Sequence, residues 1–334
     1  METNTAQQVL FRHVKNLLPP HLSLVDEIAD TLEISNDSAY RRIRGETHIS
    51  LDEIKRLCDR FNISLDELLH LQSDAYVFRA SLAGSRDYDY KRWLQTVLSV
   101  MEQTRSAKPC YISYVAKEFP FYYYFLVPEI ASFKSFFFMK SILYYETWKS
   151  AKFSIGDDYS EYHALWREIF DAYATIPGTE IWTVENITST IRQIEFYHST
   201  GSFRSQDDIA LLFDKIGEML DHVQTQAEHG IKLRRNQRPA DTGTVPYHLY
   251  VNELIMGDNM QVMQTGERYT TFLNHTTLNY LTTTNERFNQ YTRRNVENIV
   301  QKSIPISTVN EKDRIRFFNH LREKLEAERK KILH

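Results

Sequence analysis

The sequence predicts a mainly α chain in two parts. A helical N-terminal domain spans residues 1–72, and a larger, mostly helical α+β domain with a small antiparallel sheet spans 73–334. Three observations predict this. Helix-start and helix-stop signals crowd the stretch from Leu24 to Leu69. Long amphipathic runs follow it, and two short extended segments flank Gly257-Asp258-Asn259. A chain of 334 residues suits about two domains, and the second is long enough for a full hydrophobic core.

In the N-terminal stretch, LVDEIADTLEISNDSAYRRIRGETHISLDEIKRLCDRFNISLDELL, apolar Ile28, Ala29 and Leu32 recur at i, i+1 and i+4, one stripe of a short helix. Glu33-Ile34-Ser35 interrupts the pattern, and Ser35 is placed to cap the helix that follows. That helix turns Ala39 and Ile43 inward and stops at Gly45, where a left-handed residue is expected. Small Ala29 permits a close helix crossing, and Ile34 plugs the turn. Ser50-Leu-Asp-Glu53 and Ser64-Leu-Asp-Glu67 read as capping boxes, each ahead of an apolar-periodic run.

These residues resemble the Cro/CI-type (XRE-like) helix-turn-helix family: Ala29 and Leu32 in the first helix, Ile34-Ser35 in the turn, Ala39 in the second and Gly45 beyond it. ISLDEIKRLCDRFNISLDELL looks like the fourth and fifth helices of that domain. The resemblance implies a five-helix Cro/CI-like domain covering roughly the first fifth of the chain. Two positions depart from the family pattern. Glu33 stands where glycine is usual, and Arg42 stands where an apolar side chain is usually buried.

A reading helix of this type lays its first turns against base edges in the major groove of double-stranded DNA. The resemblance makes Asn36, Asp37, Ser38, Tyr40, Arg41 and Arg44 its available face. Arg41 suits a bidentate contact to guanine, and Asn36 suits adenine or a phosphate. Arg44 and His48 are placed for the DNA backbone. Tyr40 meets a thymine methyl, a phosphate, or its own domain. Over residues 1–70, Asp and Glu outnumber Lys and Arg, and positive charge is concentrated from Arg41 to Arg44. Such a domain does not bind DNA by bulk counterion release, so two copies on adjacent half-sites, a homodimer, are expected.

In the second domain, residues 75–79 read as a strand or extended linker and 88–103 as an amphipathic helix carrying Trp93, Leu94, Val97, Leu98 and Met101. Residues 110–115 alternate like a strand, and an aromatic helical block runs from 121 to about 148. Helices are expected at 161–173, 186–197 and 206–229. The Gly-, Pro- and charge-rich run 230–246 is a loop. Residues 247–256 and 260–264 read as a hairpin, with a third strand at 269–273. Helices at 286–301 and 311–331 close the chain. In the last of these, Ile315, Phe318, Leu321 and Leu325 form a stripe suited either to a dimer seam or to docking on its own domain, with Arg322 and Glu326 one turn apart.

Chemistry-bearing motifs are scarce. The chain has no GxGxxG or GxxxxGK[ST] loop and no GxSxG elbow, and no two histidines lie at i, i+3 or i, i+4. No cofactor, metal site or catalytic residue is therefore expected, and Asp157-Asp158 and Asp207-Asp208 read as turn and helix-start residues. Two cysteines, Cys58 and Cys110, exclude a disulfide framework and suit a reducing cytoplasm. No signal-peptide order opens the sequence, and no apolar run reaches the roughly 18 residues of a spanning helix. The aromatic cluster over 119–138 reads as core, with a ligand pocket as the alternative, since consecutive tyrosines on a helix cannot all face inward. Asn252, Glu253, Asp258, Asn259, Arg268 and His275 read as turn and edge chemistry before they read as a site.

The expectation is a cytoplasmic, dimeric, sequence-specific transcriptional regulator with no membrane partner. Its C-terminal domain would dimerise and respond to a small-molecule or protein effector. The alternatives are a DNA-binding domain fused to a protein-interaction module, or to an enzyme domain of unfamiliar type.

Overall fold

In the computed structural model the chain forms two units, Met1–Val77 and Phe78–His334. The structure describes residues 5–19, 21–69, 76–80, 89–241, 244–254 and 257–333, without the side chains of 66, 67 and 241.

The first unit holds α1 (Ala6–Leu17), α2 (Leu24–Leu32), α3 (Asn36–Arg44), α4 (Leu51–Phe61) and α5 (Leu65–Leu69). Local chemistry sets most of the ends. Thr5 with Gln8, and Ser50 with Glu53, form reciprocal capping boxes; Ser23 and Ser35 each accept from the backbone N–H three residues on. The box expected of Ser64 and Glu67 lies outside the described side chains. Leu10, Phe11, Val14, Ile28, Ala29, Leu32, Ala39 and Leu57 bury together as an aliphatic core around one phenylalanine.

The second unit adds α6 (Tyr90–Ser106), β1 (Cys110–Val115), α7 (Pro128–Phe137), α8 (Ser160–Ala174), β2 (Gly178–Trp182), α9 (Thr188–Ser199) and α10 (Gln206–His229). It continues with β3 (Tyr247–Val251), β4 (Met260–Thr265), β5 (Arg268–Thr276), β6 (Asn279–Thr283), α11 (Glu286–Gln301), β7 (Ile304–Pro305) and α12 (Glu311–Leu333). Among the described residues its strands form one seven-stranded sheet in the order β6-β5-β4-β1-β2-β3-β7. Strands β1, β2 and β3 are parallel neighbours, and the other pairs are antiparallel.

This sheet corrects the expected fold class, a helical domain with a small antiparallel sheet. The expected hairpin between 247–256 and 260–264 does not form, because β1 and β2 lie between β3 and β4. The hairpin in this region is β4–β5, closed by Gly266-Glu267. Residues 255 and 256 lie outside the described residues. Strands β2, β6 and β7 are not among the expected strands: they are five, five and two residues long, and for β2 parallel pairing through a helical crossover leaves no local signature. Gly178 is required where β2 meets β1, since a Cβ there would stand 2.6 Å from the Ile112 carbonyl oxygen.

Alternation decides what each sheet face meets. Ile112, Tyr114, Glu180, Trp182, Tyr247 and Leu249 point into the main core, while Val115, Ile181 and Val262 meet Val296 and Ile299 of α11. The aromatic block 121–148 is not one helix. It is a 3-10 turn at Phe121–Phe125, then α7, a π turn at Phe138–Ile142 and a 3-10 turn at Glu146–Trp148. Tyr122, Tyr123 and Tyr124 are all buried, contrary to the expectation for consecutive residues on a helix. The turn they form is packed on several sides, with Tyr122 stacked on Tyr173 at 4.2 Å and Tyr123 edge-on to Trp182. Helix α12 docks on α10 through Phe318, Leu321 and Leu325, while Ile315 of the expected stripe is exposed. Arg322 pairs with Asp221, not Glu326. In the loop 230–246, Lys232 and Leu233 are buried.

Candidate nucleic-acid interface

Three residues separate α2 from α3, and each junction has a local cause. Glu33, with φ 58° and ψ 46°, takes the left-handed conformation that glycine adopts at lowest cost, and its N–H caps α2 on Ala29 and Asp30. The Ser35 hydroxyl accepts from Ser38 N, which starts α3, and Gly45 at φ 81° ends it. Ala39 is fully buried against α2.

Arg42 explains its own departure from an apolar residue. Its Nε donates to Glu53 Oε1 at 3.0 Å, and its Nη2 lies 2.8 Å from the same oxygen; both side chains are 18% exposed. Burial works to raise the Glu53 pKa. The Ser50 N–H and the Arg42 guanidinium outweigh it, and the net shift is downward. One carboxylate therefore caps α4 and locks it to α3. Gln7, which the sequence reading passed over, donates to the Arg42 and Thr47 carbonyls at 2.7 and 2.8 Å and ties α1 to the end of α3.

With Arg42 turned inward, the outward face of α3 is defined. Asn36, Asp37, Tyr40, Arg41 and Arg44 are exposed, as is His48 beyond the helix, and Ser38 is half-buried. Asn36 donates to Asp26 Oδ1 at 2.9 Å, and Ser38 Oγ accepts from Ser35 Oγ at 3.0 Å. Arg41 pairs with Asp37 at 3.2 Å and Arg44 with Glu46 at 3.5 Å. The Arg44 guanidinium also lies 5.4 Å from the centre of the Tyr40 ring. Exposed pairs of this kind contribute about 0–1 kcal/mol, so either arginine can exchange its carboxylate for a phosphate or a base at little cost. His48 lies with Arg44 and Gly45 on a groove of about 360 Å³ against α1 and α5.

The second unit carries a charged cluster that the sequence reading missed with β2. Glu180 is 1% exposed. Its Oε1 accepts from the Tyr123 hydroxyl at 2.9 Å and from the Tyr173 hydroxyl, and its Oε2 accepts from Trp182 Nε1 at 2.7 Å and the Tyr247 hydroxyl at 3.0 Å. Burial, and then the Glu180 charge, push the three phenols well above their ordinary pKa, so they remain donors. Lys232 Nζ sits 3.4 Å from the Tyr173 ring centre; burial lowers it to about 7 against the opposing pull of Glu180 and Cys110. Four donors serve both carboxylate oxygens, which is the accounting of a structural network. Asn252 and Asn259 bond to loop and strand-end groups, and Asp258 pairs with Lys117; Glu253, Arg268 and His275 are exposed and are not gathered into a site.

Among the described residues no group of His, Cys, Asp and Glu could hold a metal ion, and no helix is long and apolar enough to cross a membrane. No family model, curated protein or solved structure matches the chain.

Proposed function

We propose that the first unit is a Cro/CI-type helix-turn-helix that binds double-stranded DNA, and that the chain is a dimeric, sequence-specific transcriptional regulator acting in the cytoplasm. The outward face of α3 carries this reading: Arg41, Arg44 and Tyr40 are exposed together, while Arg42 is withdrawn to hold the helix in place. Arg41 reads a base, and Arg44 and His48 meet phosphates. The unit's acidic balance limits non-specific affinity, so tight binding requires two copies on half-sites about one helical turn apart. The second unit dimerises and regulates. Selection of genomic fragments by the purified full-length protein tests the reading. A recovered palindrome supports it, and folded protein that enriches no sequence sinks it.

A further inference from the structure

We infer that the groove between α11 and the sheet binds a small zwitterion of the α-amino acid class, its carboxylate held by Arg293 and its ammonium by Glu297. The groove holds about 190 Å³. That is roughly six water volumes at ~30 Å³ each, enough for a small amino acid and below the ~300 Å³ at which drug-sized ligand sites begin.

Register builds its floor and walls. Ser113 pairs with Val262, and Gln264 stands between Tyr111 and Tyr269, so these side chains share the sheet face that α11 half covers. Val262 and Val296 are the buried apolar floor, and Ser113, Gln264 and Tyr269 are half-buried around it.

The two charges sit one helical turn apart, roughly 6 Å along the axis. Such pairs commonly bond to each other. Here neither an ion pair nor a hydrogen bond joins them, and no other described residue takes the Glu297 carboxylate. Arg293 is instead stacked on the Tyr269 ring, its guanidinium carbon 4.0 Å from the ring centre. Stacking fixes the plane of the guanidinium and leaves its edge donors free, the arrangement that takes a carboxylate bidentately. A lone anion would meet repulsion from Glu297, and a lone cation from Arg293. A ligand carrying both charges satisfies the pair, with the Ser113 hydroxyl and the Gln264 amide oxygen available to a polar side chain, the Gln264 amide nitrogen being taken by the Gly266 carbonyl at 3.2 Å.

Calorimetric titration of the full-length chain with glycine, L-alanine, L-serine and L-glutamine tests this, with propionate and ethylamine as the single-charge counterparts of alanine. Saturable binding of at least one amino acid is expected, weakened about tenfold or more in both Arg293→Gln and Glu297→Gln, with neither propionate nor ethylamine binding at the same concentration. Glu297 makes no contact that the fold needs, so Glu297→Gln decides the matter even if Arg293→Gln melts early. The inference fails if no amino acid titrates, if propionate binds as well as alanine, or if Glu297→Gln binds unchanged. The titration contains no DNA, so its outcome is separate from that of the DNA-binding reading.

Discussion

Arg42–Glu53 in the first unit and the Glu180 cluster in the second are both charged groups turned inward, and they are built in opposite ways. The first joins two residues eleven apart in sequence through one guanidinium and is still 18% exposed. The second gathers donors 57 and 67 residues away as well as near neighbours, at a carboxylate with almost no exposure. A partly solvated pair leaves its partner water to fall back on when broken. A buried carboxylate leaves four orphaned donors. Stability in the first unit is spread over caps and short contacts, whereas in the second it is concentrated where distant segments converge.

The widest separation between the units is expected with pH. Burial lowers Lys134 and Lys232 to about 7, with Glu118 and Glu180 respectively opposing it. Unfolded lysine keeps its proton up to about pH 10.4, so between pH 7 and 10 the unfolded state holds more protons and stability rises with pH. Each lysine contributes at most about 1.4 kcal/mol per pH unit in that window. Above pH 10 the buried tyrosines reverse the trend, because their raised pKa values let the unfolded state lose protons first. Urea denaturation followed by tryptophan emission reports only the second unit, since all four tryptophans lie there. A midpoint that does not move between pH 7 and 9 would refute the buried-amine account, and Lys134→Met should flatten half of the slope.

Glu180→Ala is expected to cost ~3–5 kcal/mol by stranding Tyr123, Tyr173, Tyr247 and Trp182. The same emission-detected denaturation measures it, and a loss under ~1 kcal/mol would make the two inward charges equivalent after all. In the first unit, Ala29→Leu should cost ~1–3 kcal/mol by overpacking the α2–α3 crossing, read as lost amide protection confined to residues 6–61. An unchanged exchange pattern there would contradict the crossing. Smallest in stability is Arg41→Ala, because the Asp37 pair it removes is exposed. Its melting curve should overlay the parent while affinity for a selected DNA site falls by ~1–3 kcal/mol. Equal affinity would remove Arg41 from the reading set.

Much of the first unit was legible because its determinants are neighbours in sequence. Ser35, Ser50 and Gly45 act within a few residues of themselves, and Ala29 and Ala39 announce a close crossing by their size. The exposed face of α3 could be enumerated by helical period, but not the inward turn of Arg42, which depends on Glu53 arriving from α4. In the second unit the long helices followed from their apolar period, and individual strands such as β1 from alternation. Which strand lies beside which did not follow: β3 and β4 adjoin in sequence and are separated by β1 and β2 in space.

By itself, then, the sequence determined the ends and caps of α2, α3 and α4 and the chemistry exposed on α3, since these rest on interactions spanning one or two turns. Only the tertiary structure decided the sheet order, the burial of Glu180 and Lys232, and the meeting of Arg293 with Tyr269 over Ser113. Strand partners are chosen by the simultaneous packing of both sheet faces, a property of the whole fold that no window of sequence contains.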